Sequence, residues 1–344
     1  MTGGMSASKG PLFVMGVWRS GTSLLYSLLN QHPDIALLYE GDLPLFWPLF
    51  LGRRRDWPSR WNFWNSALDR HQLTDTSGQL GEAADIRVAT ELACRAYASG
   101  KQASIWGDKS PTYSGRGDRL ARLFPEARFL FIWRDPADIC SSIARAGRSE
   151  RWFRRTGMLN RALFACESVK KDYDLLARNG VAIHQLTYQE LVGNTAAAMR
   201  GICEFLGVSY DPRMASLDGA DRSAIYPGEH HDLVKGKDIR AARNRSEVLS
   251  PAIVSKLARY KNLWAARYGA DWPLAPRAGD SAFGKPGLVE RLADRVACTA
   301  YRLRDSAVMI VYCFAPLSLL AAYRNVRNTH AIVPMSSAKH GGAI

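Results

Sequence analysis

The residues best suited to chemistry come early in the chain. Gly16, Arg19, Ser20, Gly21, Thr22 and Ser23 form a small-residue turn. Before it lies an apolar run, Leu12 to Val17, and after it a helical repeat of Leu24, Leu25, Leu28 and Leu29. Strand, glycine loop and helix N-terminus in that order make an anion cradle, because free backbone N–H groups converge there and the helix dipole adds positive potential. Gly16 to Ser23 has the spacing of a P-loop, G-x4-G-x-[ST], but Thr22 stands where a nucleotide hydrolase carries lysine. The cation comes three residues earlier, from Arg19.

Three further positions carry chemistry. Lys109 closes the short strand Ile105-Trp106-Gly107-Asp108-Lys109, and Pro111 keeps the backbone after it extended. A strand's carboxyl end is where open α/β sheets bind ligands. Arg134 ends the most strand-like run of the chain, Arg128 to Trp133, and Pro136 then opens a helix that carries Ser142. A planar guanidinium and a neutral hydroxyl suit a phosphate, although taken alone the segment reads equally as an ion pair capping a helix. Glu40 follows the apolar run Ile35 to Tyr39. It is a general base if an apolar wall raises its pKa, or else a salt-bridged loop glutamate.

The elements that must hold these residues alternate strand and helix. Helices are expected over Gly81–Ala98, Ala137–Arg145, Leu159–Arg178, Thr195–Leu206 with Gly207 as C-cap, and Ser250–Tyr268, with a buried strand at Val181–Leu186. This is the pattern of a P-loop-like α/β fold, a parallel sheet flanked by helices on both faces. With 344 residues, 47% of them hydrophobic, the chain can bury one large core. A net charge of +14 suits an anionic cofactor, an acidic substrate or a membrane surface, and no zinc-finger or RNA-binding signature points to nucleic acid. None of the six cysteines forms a C-x-x-C pair, so a disulfide framework is not expected and a reducing compartment is favoured. The N-terminal MTGGMSASKG has no apolar signal segment, so the expected location is cytoplasmic.

Arg19-Ser20-Gly21-Thr22-Ser23-Leu24-Leu25, followed by Leu29, His32 and Pro33, resembles the 5′-phosphosulfate loop of sulfotransferases that use 3′-phosphoadenosine 5′-phosphosulfate (PAPS). Phe129 to Ser142, F-L-F-I-W-R-D-P-A-D-I-C-S-S, resembles the 3′-phosphate motif of the same enzymes. There an arginine ends the strand and a serine follows eight residues later, as Arg134 and Ser142 do. Lys109-Ser110-Pro111 resembles the family's K-x-P segment, whose lysine lies beside the transferring group. Small-molecule sulfotransferases place a catalytic histidine three residues after that lysine, where this chain has Thr112. The tyrosylprotein branch instead places a glutamate base seven residues after a His-Pro step, the interval from Pro33 to Glu40. The resemblance runs from about Leu12 to Tyr268. It implies Glu40 as base, Lys109 and Arg19 as charge stabilisers, and Ser20, Gly21, Thr22 and Ser23 as the 5′-phosphosulfate cradle. It also implies Arg134 and Ser142 at the 3′-phosphate, Tyr188 near the adenosine, and Lys237 in a loop over the 3′-phosphate. The implied reaction is sulfuryl transfer from PAPS to a hydroxyl of a carbohydrate, a lipid or glycolipid, or a tyrosyl group, without a metal.

The rest of the chain supplies context and rivals. Leu43 to Arg70, rich in tryptophan, phenylalanine and arginine, reads either as part of an acceptor pocket or lid, or as a helical flap packing its own aromatics. His230 and His231 have no third ligand at metal spacing. The expected organisation is a sulfotransferase domain over 1–274, a linker over 275–287, basic and apolar helices over 288–330 and a disordered tail over 331–344. Ser306 to Tyr323 carries no charge, is at the short limit for a bilayer crossing and is broken by Pro316. Peripheral or anchored association with a membrane face is the expectation. Two rivals stand: a P-loop nucleotide kinase, weakened by Thr22, and a non-catalytic membrane-associated binding protein on a degenerate sulfotransferase scaffold.

Overall fold

The computed structural model describes residues 10–50, 56–74, 77–150, 153–154, 157–226, 249–269 and 280–327, with residues 234, 236, 239 and 276 singly between them. Five strands form one sheet: β1 (Pro11–Met15), β2 (Ile35–Tyr39), β3 (Ile105–Lys109), β4 (Arg128–Trp133) and β5 (Ile183–Thr187). Their order is β2-β3-β1-β4-β5, and every pairing is parallel. The fold is the α/β class expected from the alternating pattern.

Burial on both sides explains the near-continuous apolar strands. Phe13, Met15, Ala36, Leu38, Trp106, Phe129 and Phe131 point into one core. Leu12, Val14, Ile35, Leu37, Ile105, Leu130 and Ile132 alternate with them into the other, as the two-residue period of a strand requires. Helices α5 (Ile86–Gly100), α6 (Gly117–Leu123), α7 (Pro136–Ser149) and α8 (Met158–Arg178) contribute to the first core. Helices α1 (Thr22–Leu29), α9 (Tyr188–Gly193) and α10 (Thr195–Leu206) contribute to the second. Gly107 makes the β1–β3 pairing possible, since a Cβ there would lie 1.9 Å from the Leu12 carbonyl oxygen.

Caps place the helix starts. Asp85 accepts from the Val88 amide, Asp135 from Ala137 and Asn194 from Ala197. Thr187 and Glu190 form a reciprocal capping box at the start of α9. Gly207 ends α10 in the left-handed conformation, as its C-cap position requires.

Between β2 and α5 the aromatic segment folds into a 3-10 stretch (Leu43–Phe50), α2 (Trp57–Asn65), α3 (Ala67–Arg70) and α4 (Ser77–Gly81). After α10 come α11 (Pro251–Tyr268), α12 (Leu288–Phe314) and α13 (Leu317–Arg327). Within the stretch read as a linker, Asp280–Phe283 forms a 3-10 turn docked on α11, where Lys261 pairs with Asp280 at 2.7 Å. The basic and apolar parts of the C-terminal region, Leu288–Arg304 and Ser306 onward, join as one 27-residue helix that stops at Phe314, just before Pro316. Among the described residues no helix is long and apolar enough to cross a membrane.

Candidate active site

All five strands bring a candidate site residue to the same edge of the sheet. β1 leads into the glycine loop, β2 ends at Glu40, β3 at Lys109, β4 at Arg134, and β5 leads directly into Tyr188. That edge holds the carboxyl ends, where the loops of a parallel sheet converge.

The first cluster gathers around the loop after β1. The Ser20 amide donates to the Val17 carbonyl at 3.0 Å, closing a turn in which Arg19 takes φ 69° and Gly21 φ 106°. A Cβ on Gly21 would lie 2.6 Å from the Tyr188 ring, so glycine here serves both the backbone angle and the close approach. Arg19 Nε donates to Ser142 Oγ at 3.0 Å, and Arg134 Nη1 donates to the Arg19 carbonyl at 2.8 Å. The Arg134 guanidinium lies 4.1 Å from the Tyr188 ring centre. Burial lowers its pKa, opposed by Tyr188, Asp138 and Asp135. Two motifs that the resemblance assigns to opposite ends of the donor are thus tied together through Arg19.

The second cluster lies where β2 and β3 end. Lys109 Nζ donates to Glu40 Oε1 at 2.8 Å and sits 3.5 Å from the centre of the Tyr39 ring. Lys109 is fully buried, whereas the Glu40 side chain keeps 21% exposure and opens the pair to the surface. Burial lowers the Lys109 pKa, and the Glu40 carboxylate pulls it back up. Tyr39 OH and Ser23 Oγ are 2.7 Å apart, which links this cluster to the loop.

Beneath Glu40 lies a layer that the sequence reading missed. Glu40 (φ 51°) and Asp42 (φ 57°) both occupy the left-handed region, a strain of about 1–3 kcal/mol each that needs support from neighbours. Asp108 accepts from the amides of Gly41 at 3.1 Å and Asp42 at 2.9 Å, and from the Tyr113 hydroxyl. Asp42 in turn accepts from the hydroxyls of Ser110 and Thr112. Asn65 Nδ2 donates to the carbonyls of Glu40 at 3.1 Å and Gly41 at 2.8 Å, and Arg70 Nη1 to that of Tyr39 at 2.8 Å. Burial, with Asp42 close by, pushes the Asp108 carboxyl up to about 7. Asp108 was detectable in principle, because a carboxylate inside an otherwise apolar strand must find partners. Its partners come from Gly41, Asp42 and Tyr113, and no local spacing reveals that.

Thr112, the residue standing in for the histidine of small-molecule enzymes, points to Asp42 and supports the Glu40 turn. Lys237 and the paired His230 and His231 lie outside the described residues. Among the described residues no group of histidine, cysteine, aspartate or glutamate side chains could hold a metal ion. None of the six cysteines is in a disulfide.

A model described as the Sulfotransferase family matches residues 11–212. The match spans the glycine loop, Glu40, Lys109, Arg134, Ser142 and Tyr188. The chain belongs to the sulfotransferase family. Its relatives include protein-tyrosine sulfotransferase A of Caenorhabditis elegans, 25% identical over 324 residues, covering 87% of this chain and 77% of that one. Protein-tyrosine sulfotransferase 2 of Gallus gallus is 26% identical over 259 residues, 72% of this chain and 62% of that protein. Nodulation protein NoeE of Sinorhizobium fredii is 33% identical over 145 residues, 40% of this chain and 33% of its own. Among solved structures, the sulfotransferase domain from the Synechococcus PCC 7002 olefin synthase superposes with a TM-score of 0.49 at 19% identity, covering 81% of this chain and 94% of that domain.

This sulfotransferase is an enzyme of sulfuryl transfer, and the family implies PAPS as donor. The residues present fit such a donor. Ser20 Oγ and Arg134 Nε are buried without a hydrogen-bond partner among the described residues. Both flank the N-terminus of α1, where backbone N–H groups favour an anion.

Proposed function

We propose that this sulfotransferase moves the sulfuryl group of PAPS to an acceptor hydroxyl with Glu40 as general base. The observation that carries the reading is the Glu40–Lys109 pair at the carboxyl ends of β2 and β3, beside the loop and the N-terminus of α1. PAPS supplies an activated sulfuryl group whose leaving group is a phosphate.

Glu40 takes the acceptor's proton while the acceptor oxygen forms its bond to sulfur. The bond from sulfur to the phosphate oxygen breaks, and that oxygen leaves with the electron pair on 3′-phosphoadenosine 5′-phosphate (PAP). Lys109 donates to the bridging oxygen as charge builds there, and Ser20, Gly21, Thr22 and Ser23 hold the 5′-phosphosulfate with the helix dipole behind them. Arg19, anchored on Ser142, faces the same charge. Arg134, stacked on Tyr188, serves the 3′-phosphate with Ser142, and Lys237 is assigned to the same group. The relatives include protein-tyrosine sulfotransferases, so a tyrosyl hydroxyl stands among the acceptors this site would accept, beside carbohydrate and lipid hydroxyls.

Calorimetric titration with PAP against adenosine 5′-phosphate tests the donor. PAP should bind at least tenfold tighter, and Arg134→Ala should erase the difference. Equal affinity for the two nucleotides in the unaltered protein rules the reading out.

A further inference from the structure

Outside the donor site the molecule has a second built feature, a cavity of about 390 Å³ under α12. Its inner wall includes Trp18, next to Arg19, and Thr112, whose hydroxyl binds Asp42, so it adjoins the transfer site. Trp47 and Trp64 of the aromatic segment form one side, and Tyr301, Met309 and Ile310 of α12 form the roof.

The cavity is strongly cationic. Arg116, Arg119, Arg161 and Arg302 line it, against one lining carboxylate, Asp305, which pairs with Arg161. Arg116, Arg119 and Arg302 make no ion pair among the described residues. They rest instead on the Thr112 carbonyl, the Trp47 ring and Ser168 Oγ. An apolar, aromatic chamber with Arg119 and Arg302 outside any ion pair among the described residues, and Arg116 pairing with none of the carboxylates of Asp42, Asp305 and Asp172 that act on it, suits an occupant that is amphiphilic and acidic.

The roof itself has two faces. Its inner side is strapped down along its length. Arg259 pairs with Glu290 and Lys256 with Asp294, Arg302 bonds to Ser168, and Arg60 Nη1 holds the carbonyls of Tyr312 at 3.1 Å and Ala315 at 2.7 Å. Its outer side exposes Leu288, Leu292, Val296, Leu303, Ile310 and Phe314, which at 100° per residue fall within about 80° of arc, and exposed Val289 and Val311 widen the stripe to about 140° along the helix's length of about 40 Å. Arg291 and Arg295 flank one side of the stripe and Arg304 the other, all exposed. An apolar stripe edged by arginines is the form of a helix lying in the plane of an anionic membrane surface, and the net charge of +14 adds long-range attraction. Ile310 belongs to both the stripe and the cavity lining, so the two features meet at that edge.

We infer that α12 seats the enzyme on an anionic lipid surface and that the acceptor is a hydroxyl-bearing acidic lipid, whose headgroup enters the cavity beneath α12. This rests on the sulfuryl-transfer reading above. The lipid hydroxyl loses its proton to Glu40 and gains the sulfuryl group, and PAP leaves.

The test uses the full chain with vesicles of phosphatidylcholine alone or with 30% phosphatidylglycerol, whose headgroup carries both an acidic phosphate and hydroxyls. Three readouts run in parallel: co-sedimentation, transfer of ³⁵S from labelled PAPS into extracted lipid, and calorimetric PAP affinity. Phosphatidylglycerol vesicles should bind at least tenfold better than phosphatidylcholine vesicles, and the glycerol lipid should be labelled. Leu292→Glu with Leu303→Glu, both on the solvent side, should abolish co-sedimentation and leave PAP affinity unchanged. Arg302→Gln should keep co-sedimentation and lower lipid labelling at least tenfold. Co-sedimentation that ignores the stripe variant overturns the inference. So does an unlabelled lipid, or a soluble tyrosyl peptide sulfated at the same rate with and without vesicles. Each of these results leaves the donor reading standing if PAP still binds. Failure of PAP to bind overturns the function and the acceptor class together.

Discussion

Lys109 is the residue whose chemistry is most constrained by its surroundings. An amine with no exposed surface is held charged by one carboxylate and one ring face. Its pKa lies below the ordinary lysine value because burial outweighs the Glu40 carboxylate. With Lys109 as the charged donor proposed above, kcat/KM should fall as pH rises through that lowered pKa. Replacing Glu40 with glutamine removes the opposing carboxylate and should move the alkaline limb to still lower pH. It should also cost about 10²–10⁴ in rate if Glu40 is the base. A pH–rate profile of the residual activity checks both, and an alkaline limb that stays put or moves up contradicts the assignment. Lys109→Met should lower kcat by about 10²–10³, in line with the loss of one transition-state donor, with PAP affinity largely retained. At this scale the sequence was informative about identity and silent about pairing. It left Glu40 open between base and salt-bridged glutamate. The structure adds the partner: Glu40 pairs with Lys109 at the end of the neighbouring strand.

At the scale of elements, the turn after β2 governs how well Glu40 is aimed. Two residues in left-handed geometry are held by Asp108 from the neighbouring strand, and Asp108 favours its protonated form up to about 7 against an ordinary 3.8. The folded state therefore binds a proton that the unfolded chain has already lost, between about pH 4 and 7. Stability should fall as pH rises through that window, by up to about 1.4 kcal/mol per pH unit for one such group, and level off above it. Asp172, which accepts from the Gly115 amide at 2.6 Å and is also raised to about 7 by burial, acts in the same sense. Thermal denaturation from pH 5 to 8 should show this slope, and Asp108→Asn should flatten it without abolishing it. An unchanged slope in the variant would remove Asp108 from the account. The strands and most helices were legible because their periods of two and 3.6 residues are local. The Asp108 layer was not, since its hydrogen bonds cross from one strand to another.

For the whole molecule, the question is how the C-terminal helices relate to the catalytic core. Arg60, 4% exposed and paired with Asp56 at 2.8 Å, caps the last turn of α12 from within the aromatic segment. Trp64 meets Tyr312 edge-on with ring centres 4.5 Å apart. The described part of the segment from Leu43 to Arg70 has two structural tasks. It packs its own aromatics, with Trp57 and Trp61 fully buried, and it also walls a cavity beside the transfer site. Arg60→Ala strips the partner from two carbonyls and should destabilise the docking of α12 by about 1–3 kcal/mol. Hydrogen exchange in the last two turns of α12 should accelerate while β1 to β5 keep their protection and PAP affinity holds. Equal protection throughout would show that α12 is secured by other contacts.

Residue types and short spacings were enough to specify the anion loop, the lysine and arginine at strand ends, the parallel α/β architecture and, through the resemblance they carry, the sulfotransferase family. Each of these depends on local periodicity or on a motif contained in a few consecutive residues. Tertiary structure alone decided that Lys109 faces Glu40, that Arg19 is anchored by Ser142, that Asp42 and Asp108 brace the turn at Glu40, and that α12 roofs a cationic cavity. Those contacts join residues 69, 123, 66 and up to 255 positions apart, and only the folded chain brings such side chains within hydrogen-bond distance.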